Sequence, residues 1–164
     1  ENLLPMRVPF LINDRVDVAL VAEADGVHVG QDDMAVEDAR RLLGPGGIIG
    51  LSIKTVEQAE AAPVDLLDYA AIGGVYGTTS KDNPDPPVRV EGLTRIAQVL
   101  RRRRAELPIC AIAGIDASNA AATIKAGADG VAVISALSLA ASPPDAAREL
   151  RAIIDQALAE REGK

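Results

Sequence analysis

The chain has 164 residues, 48% of them hydrophobic but only 2% aromatic, and its formal net charge is −7. This length allows one domain with its own core, and the scarcity of aromatic residues favours α/β packing of Ala, Val, Leu and Ile over a β-sandwich. The negative charge argues against binding nucleic acid or an anionic membrane, and no apolar run reaches the ~18 residues of a membrane span. The single cysteine excludes an internal disulfide and fits a reducing cytoplasm.

Six short apolar runs, rich in β-branched residues, are predicted as strands of a parallel sheet. They are Val8–Ile12, Val27–Gly30, Ile48–Leu51, Tyr69–Val75, Ile109–Ala113 and Gly130–Ile134. Ala-rich helical patterns are predicted to follow them at Arg15–Glu23, Val36–Leu43, Val56–Ala62, Gly92–Arg104, Asn119–Ala126 and about Pro144–Arg161. The alternation predicts six βα units in one domain over residues 1–164.

Two local patterns support this division. The tetrapeptide ADGV occurs at Ala24–Val27 and again at Ala128–Val131, each time between a predicted helix and a predicted strand. Thr55 and Gln58 have the spacing of a capping box, in which both side chains bond the backbone of a helix start.

Six βα units are too few to close a (β/α)8 barrel, which needs eight. The chain therefore forms either an open doubly wound sheet or a barrel from which two units are missing. It has no initiator Met and its first strand begins at once, so we favour a TIM barrel truncated at its N-terminus, with the first two βα units missing.

Polar residues follow the predicted strands at the end that forms the working face of a parallel barrel. Asp14 and Asp33 come after neighbouring strands and are predicted to share one Mg²⁺, which binds carboxylates together with phosphate oxygens. Lys81 is a candidate to neutralise a leaving phosphate. The other candidates at strand ends are Asn13, Ser52, Thr78, Ser80, Gly114 and Ser135.

Several residues of interest also have ordinary structural explanations. Asp14 could cap the following helix, and a cap of the helix at Val36 is the preferred explanation for Asp32. His28, inside a predicted strand, is expected to be a hydrogen-bonded core residue, and Cys110 an inert core thiol. The run Arg101–Arg104 is expected to be a solvated helix C-terminus.

Six motifs, INDRVDVAL, ADGVHVGQDDM, IIGLS, TTSK, AIAGI and GADGVAVISA, occur in the order and near the spacings of one family. The chain resembles thiamine-phosphate synthase, also called thiamine-phosphate pyrophosphorylase, over almost its whole length. The resemblance implies a cytoplasmic TIM-barrel transferase of thiamine biosynthesis. It would join hydroxymethylpyrimidine diphosphate to a thiazole phosphate, giving thiamine phosphate and diphosphate by a Mg²⁺-dependent, dissociative reaction.

The resemblance also assigns roles to residues. Asp14 and Asp33 would bind Mg²⁺, and Lys81 would join them as a catalytic group. Three residues would hold the pyrimidine diphosphate: Asn13, Ser52 and Lys81. Five would bind the thiazole phosphate, the last three through backbone amides: Thr78, Ser80, Gly114, Ile134 and Ser135.

Departures from the family pattern leave two alternatives open. Ala113 stands where the family has Gly, and the family's first two strands, one of which grips the pyrimidine diphosphate, are not found, so the isolated chain is expected to be inactive. The first alternative is a thiazole tautomerase, which would use a His near the position of Lys54, where this sequence has none. A barrel that only binds phosphate ligands would lack turnover. The sequence does not indicate an oligomeric state.

Overall fold

The computed structural model describes residues 8–78 and 86–163. Six strands form one sheet: β1 (Leu11–Asn13), β2 (Gly26–Val29), β3 (Ile48–Ile53), β4 (Tyr69–Ile72), β5 (Ile109–Ile112) and β6 (Gly130–Ala132). The helices are α1 (Val16–Val21), α2 (Val36–Leu43), α3 (Val56–Ala61), α4 (Arg89–Arg103), α5 (Ala120–Lys125), α6 (Ser135–Ser138) and α7 (Pro143–Glu162). Within the described ranges, no helix has the length and apolar character needed to cross a bilayer.

The strand order decides between the two predicted architectures. Each strand pairs in parallel with its neighbour in sequence, so that the order across the sheet is β1 to β6 without a reversal. A doubly wound sheet reverses its order at a switch point, whereas right-handed crossovers between sequential strands place all helices on one side. The sheet is therefore an open half-barrel of the TIM type, and the doubly wound alternative is wrong.

Several strands and helices begin or end a few residues from their predicted bounds. β1 begins at Leu11 rather than Val8, and α4 begins at Arg89, three residues before the predicted start. The helix α6 was not predicted, because four residues are too few to show a helical period. At α3, Thr55 Oγ1 accepts from the Gln58 N–H at 3.1 Å as predicted, but Gln58 Oε1 accepts from Lys54 rather than from Thr55.

The two faces of the sheet bury different residues. Alternate residues of the strands point outward under the helices and are fully buried; Val27, Val29, Ile49, Ile53 and Ile72 are examples. The residues between them face inward, because successive side chains of a strand point to opposite faces. The hydrophobic core therefore lies between sheet and helices, and the inner face is left to form a cavity.

An aspartate directly before each of β2, β4 and β6 forms hydrogen bonds with the backbone at the start of the preceding strand. These residues are Asp25, Asp68 and Asp129. Asp129 donates its backbone N–H to the Ile109 carbonyl at 2.7 Å, and its carboxylate accepts from the Ile109 N–H at 2.8 Å. The same reciprocal pair joins Asp68 to Ile49, and Asp25 to Phe10. The ADGV repeat thus marks one structural device, whose third copy, LDYA, is too different to be recognised from sequence.

Arginine side chains form further ion pairs and hydrogen bonds at the N-terminal end of the strands. Arg101 and Arg161 both bind the Asp129 carboxylate, the second at 2.8 Å, and both also donate to nearby backbone carbonyls. Arg103 and Arg104 donate to carbonyls around α3 and the turn that follows it. The expectation that Arg101–Arg104 would form a helix C-terminus is confirmed. The expectation that these side chains would only be solvated is wrong for three of them: Arg101 binds the Asp129 carboxylate, and Arg103 and Arg104 bond carbonyls of segments distant in sequence.

Replacement of Asp129 by Asn tests the aspartate device. Burial opposes ionisation of this carboxyl, but the Ile109 N–H and the two arginines outweigh it and hold its pKa below the ordinary value. The side chain is 32% exposed, so solvent screens the ion pairs and we expect a loss of about 1–2 kcal/mol of unfolding free energy at pH 7.

Because the folded-state pKa is lowered, this contribution is complete above the unfolded pKa of about 4 and is lost as the pH falls further. Denaturant unfolding of Asp129→Asn and wild type should therefore converge in acid. The exposed Asp65→Asn serves as the control and should change stability little at any pH. Equal losses in both variants would contradict the role of Asp129.

Candidate active site

The inner face of the half-barrel encloses an open cavity of about 1400 Å³. It is lined by inward side chains of the strands and by the loops at their C-terminal ends. Eight of the ten site residues predicted from sequence line it: Asn13, Asp14, Asp33, Ser52, Thr78, Gly114, Ile134 and Ser135. The other two, Ser80 and Lys81, lie outside the described residues.

The tip of β1 turns sharply and presents Asp14 at the cavity. Asp14 has a φ of +63°, a left-handed conformation that Asp adopts more readily than most residues. Its N–H donates to the His28 carbonyl at 2.7 Å, which fastens the tip to β2. The N-cap of α1 is Arg15, with no side-chain capping bond, so the interpretation of Asp14 as a helix cap is wrong.

Asp33 closes the loop that follows β2. Its Oδ2 accepts from the Gly30 N–H at 2.7 Å, and its other carboxylate oxygen accepts no hydrogen bond from the residues described. The N-cap of α2 is Ala35, again without a side-chain bond. The preferred explanation of Asp32 as the cap of this helix is therefore wrong.

Asp14 and Asp33, which both line the cavity, are the carboxylates that could hold a magnesium ion together with a ligand. Within residues 8–78 and 86–163, no three His, Cys, Asp or Glu side chains are grouped to hold a metal by themselves. Mg²⁺ does not need such a cage, because it is commonly bound by one or two carboxylates, substrate phosphates and water. Two carboxylates at one rim meet this requirement.

The opposite wall of the cavity is built mainly from backbone. Gly114 has a φ of +68°, and a Cβ there would lie 2.4 Å from the Gly77 carbonyl oxygen, so only glycine fits. Ile134 is 67% exposed, and Ser135 is the first residue of α6. The first N–H groups of a helix lack intrahelical acceptors and are free to bind an anion.

His28, Gln31 and Tyr69 are among the polar residues that line the cavity but were not singled out as site residues by the sequence. His28 bonds Ser52 and Tyr69, and the Gln31 side chain donates to the Ser52 carbonyl at 2.6 Å. The prediction of a hydrogen-bonded His28 is confirmed, but the ring faces the cavity rather than the core. An inward polar residue between two buried valines was the available signal.

Burial changes the acidity of two groups along this wall. Burial, with a smaller contribution from Cys110, raises the pKa of Tyr69 to about 12. Burial also raises the pKa of the Cys110 thiol to about 11, so that the thiol stays protonated and unreactive at neutral pH. Both groups are therefore neutral parts of the cavity wall. The expectation of an inert thiol at Cys110 is supported, but the residue lines the cavity and is not part of the core.

The cavity has acids on one side of the rim, backbone donors on the other and a barrel of sequential parallel strands beneath. Such an arrangement is typical of one class, the βα barrels that bind phosphate ligands at the C-terminal ends of their strands. Comparison with known proteins narrows the class further. The family model described as thiamine monophosphate synthase matches residues 4–137.

Named relatives agree with that match. The thiamine-phosphate synthase of Agrobacterium fabrum is 52% identical over 94% of this chain and 70% of its own length. That of Roseiflexus sp. is 49% identical, over 98% of this chain and 68% of its own length. The structure of thiamine phosphate pyrophosphorylase from Pyrococcus furiosus superposes with a TM-score of 0.80 at 36% identity, covering 95% of this chain and 72% of that one. The chain belongs to the thiamine-phosphate synthase family.

Replacement of Ala113 by Gly tests the backbone strain at the residue before Gly114. Ala113 has a φ of +75°, which costs an L-residue about 1–2 kcal/mol, whereas glycine adopts it freely. The gain is offset by the greater freedom of glycine in the unfolded chain, about 0.4–1 kcal/mol. We therefore expect Ala113→Gly to leave the unfolding free energy unchanged or raise it by up to about 1 kcal/mol.

The matched control is Ala122→Gly, an exposed position inside α5 where φ is helical. There the same substitution should destabilise by about 0.5–1 kcal/mol. Denaturant melts of the two variants measure the difference. If Ala113→Gly destabilised as much as the control, the strain would not be present in solution.

Proposed function

We propose that the chain carries most of the active site of a thiamine-phosphate synthase, which joins hydroxymethylpyrimidine diphosphate to a thiazole phosphate. The single observation that carries this proposal is that eight predicted residues from five strand ends and α6 line one cavity. Acids for a metal–diphosphate complex and backbone donors for a second phosphate are both present there. A barrel that binds only one phosphate ligand would not need the two sets.

The acidic side of the rim would hold the pyrimidine diphosphate. Asp14 and Asp33 would share a Mg²⁺ with the diphosphate, and the ion would stabilise negative charge on the leaving group. Asn13, at the end of β1, would donate its amide to the same group. Ser52, one residue before the end of β3, would contact the pyrimidine diphosphate from the neighbouring wall.

The backbone side of the rim would hold the thiazole phosphate. Gly114 and the start of α6, at Ile134 and Ser135, offer N–H groups that bind a phosphate without a charged side chain. Thr78 would add a hydroxyl from the loop after β4, together with Ser80. The two substrates would thus meet across the barrel, where the walls exclude water from a dissociating, carbocation-like pyrimidine.

Lys81 is proposed as the cation that meets the charge growing on the departing diphosphate. Its support is the TTSK motif at residues 78–81, of which Thr78 is the described residue and lines the cavity. The family resemblance supports a cytoplasmic enzyme, and a single cysteine, which excludes an internal disulfide, is compatible with it. Lys54, at the position where a thiazole tautomerase would have a histidine, favours the synthase over that alternative.

The half-barrel also bears on how the site is completed. Among the described residues β1 and β6 are the edges of the sheet and do not pair with each other. We propose that two further βα units close one barrel domain between these edges, since a closed barrel of this type has eight. The longer curated relatives, of which the chain covers 70% and 68%, support this.

An activity assay with a chimera tests the proposal. The 164-residue chain is expected to bind the thiazole phosphate in calorimetry but to release no diphosphate. A chimera that adds the two proposed βα units from the Agrobacterium relative before Glu1 should produce thiamine phosphate, detected by mass spectrometry, when Mg²⁺ and both substrates are present. A folded chimera that binds both substrates without forming product would support the non-catalytic barrel instead.

Substitutions of the two acids by Asn separate charge from backbone effects. At position 14, Asn can adopt the left-handed φ as readily as Asp does. At position 33, the Asn side-chain carbonyl can still accept the hydrogen bond from the Gly30 N–H. We expect each of Asp14→Asn and Asp33→Asn to lower kcat/KM of the active chimera at least tenfold and to weaken its Mg²⁺ dependence, with little change in melting temperature.

The control is Asp32→Asn, which removes the same charge from the adjacent residue of the cavity rim. It should keep most of the activity, since Asp32 is not proposed to bind the metal. Equal losses in Asp32→Asn and Asp33→Asn would show that the rim acts through its overall negative charge and not through the proposed ligands.

A further inference from the structure

A chain of hydrogen bonds crosses the inner wall of the barrel from β2 to β4. His28 Nε2 lies 2.8 Å from Ser52 Oγ, and His28 Nδ1 lies 2.8 Å from the Tyr69 hydroxyl. All three side chains line the cavity. The imidazole therefore joins a residue proposed to hold substrate to one that has no assigned role.

A glycine between the two rings allows the contact between His28 and Tyr69. His28, Gly50 and Tyr69 are register partners on β2, β3 and β4, so Gly50 stands between the two rings. A Cβ at Gly50 would lie 2.1 Å from Tyr69 Cζ and 2.4 Å from its hydroxyl oxygen. The missing side chain lets the Tyr69 ring lie across β3, with its centroid 5.6 Å from that of His28.

The direction of the hydrogen bonds follows from the tyrosine. A phenol whose pKa is raised to about 12 keeps its proton at neutral pH and needs an acceptor when it is partly buried. Among the described residues, His28 Nδ1 is the acceptor within reach. A neutral imidazole that accepts at Nδ1 carries its proton on Nε2 and donates it to Ser52 Oγ.

We propose that His28 is a positioning residue, held by Tyr69 in the Nε2–H tautomer, which orients the Ser52 hydroxyl to donate into the cavity. Since Ser52 Oγ accepts from the imidazole, its own proton is directed to another acceptor. That acceptor would be an atom of the pyrimidine substrate. This functional half rests on the proposed role of Ser52, whereas the tautomer rests on the two hydrogen-bond distances and on the protonated phenol of Tyr69.

The single histidine of the chain makes the tautomer directly measurable. Protonated and unprotonated imidazole nitrogens have well-separated ¹⁵N chemical shifts, and labelling of histidine gives one pair of signals from His28. We expect a protonated Nε2 and an unprotonated Nδ1 in the 164-residue chain near neutral pH. A protonated Nδ1, in either the other neutral tautomer or the imidazolium, would overturn the proposal.

Tyr69→Phe tests the cause of that tautomer in the same spectrum. The variant keeps the ring but removes the donor, so the two signals should move toward those of a tautomeric mixture. Tyr76→Phe removes a hydroxyl that bonds Thr123 instead and should leave the spectrum unchanged. Unaltered signals in Tyr69→Phe would show that Tyr69 does not set the tautomer.

A double-mutant cycle in the active chimera tests the action through Ser52. We expect His28→Leu to lower kcat/KM for the pyrimidine diphosphate about tenfold or more and His28→Gln, whose amide can donate and accept, to recover most of it. In a Ser52→Ala background, His28→Leu should have no further effect.

Additive losses would show that His28 acts on the wall in general and would overturn the positioning role. Melting temperatures of the four variants check that each is folded. If the chimera proved inactive, the proposed function would fail, but the ¹⁵N spectra of the chain would still confirm or refute the tautomer.

Discussion

Parallel pairing of each strand with its neighbour in sequence is the constraint on which the rest of the structure depends. It sends every crossover over the same side of the sheet, so the helices bury one face and leave the other to enclose a cavity. It also brings the C-terminal ends of all six strands to one rim. Residues far apart in sequence, such as Asp14 and Ser135, therefore line one space.

The two ends of the strands are built on opposite principles. At the N-terminal end, the aspartates just before β2, β4 and β6 bond the backbone of the preceding strand, and arginines form ion pairs with two of them, Asp68 and Asp129. At the C-terminal end, Asp33 bonds only the local Gly30 N–H among the described residues. The N-terminal end is thus held together by ionic and backbone contacts, whereas the second carboxylate oxygen of Asp33 has no donor among the described residues.

Local chemistry explains which parts were predictable. Continuous apolar runs marked the strands and the Thr55 cap marked the start of α3, because both signals arise within a few residues. Motifs at strand ends likewise indicated Asp14, Asp33 and Gly114. The cap was the wrong explanation for Asp32, because the residue before α2 is Ala35. Solvent was the wrong explanation for Arg101, Arg103 and Arg104, because their partners are brought near them only by the fold. The hydrogen bonds of His28 were not predictable for the same reason, since its partners Ser52 and Tyr69 lie 24 and 41 residues further along the chain.

The sequence by itself determined the α/β class, the order of the units, the residues at the strand ends and the family, because each is written in short motifs and their spacing. Only the tertiary structure decided that the sheet curves as a half-barrel, that Asp14 takes a left-handed turn at its tip, and that Tyr69 reaches His28 across Gly50. These features depend on the register between strands. Register is a relation between segments that no single segment encodes.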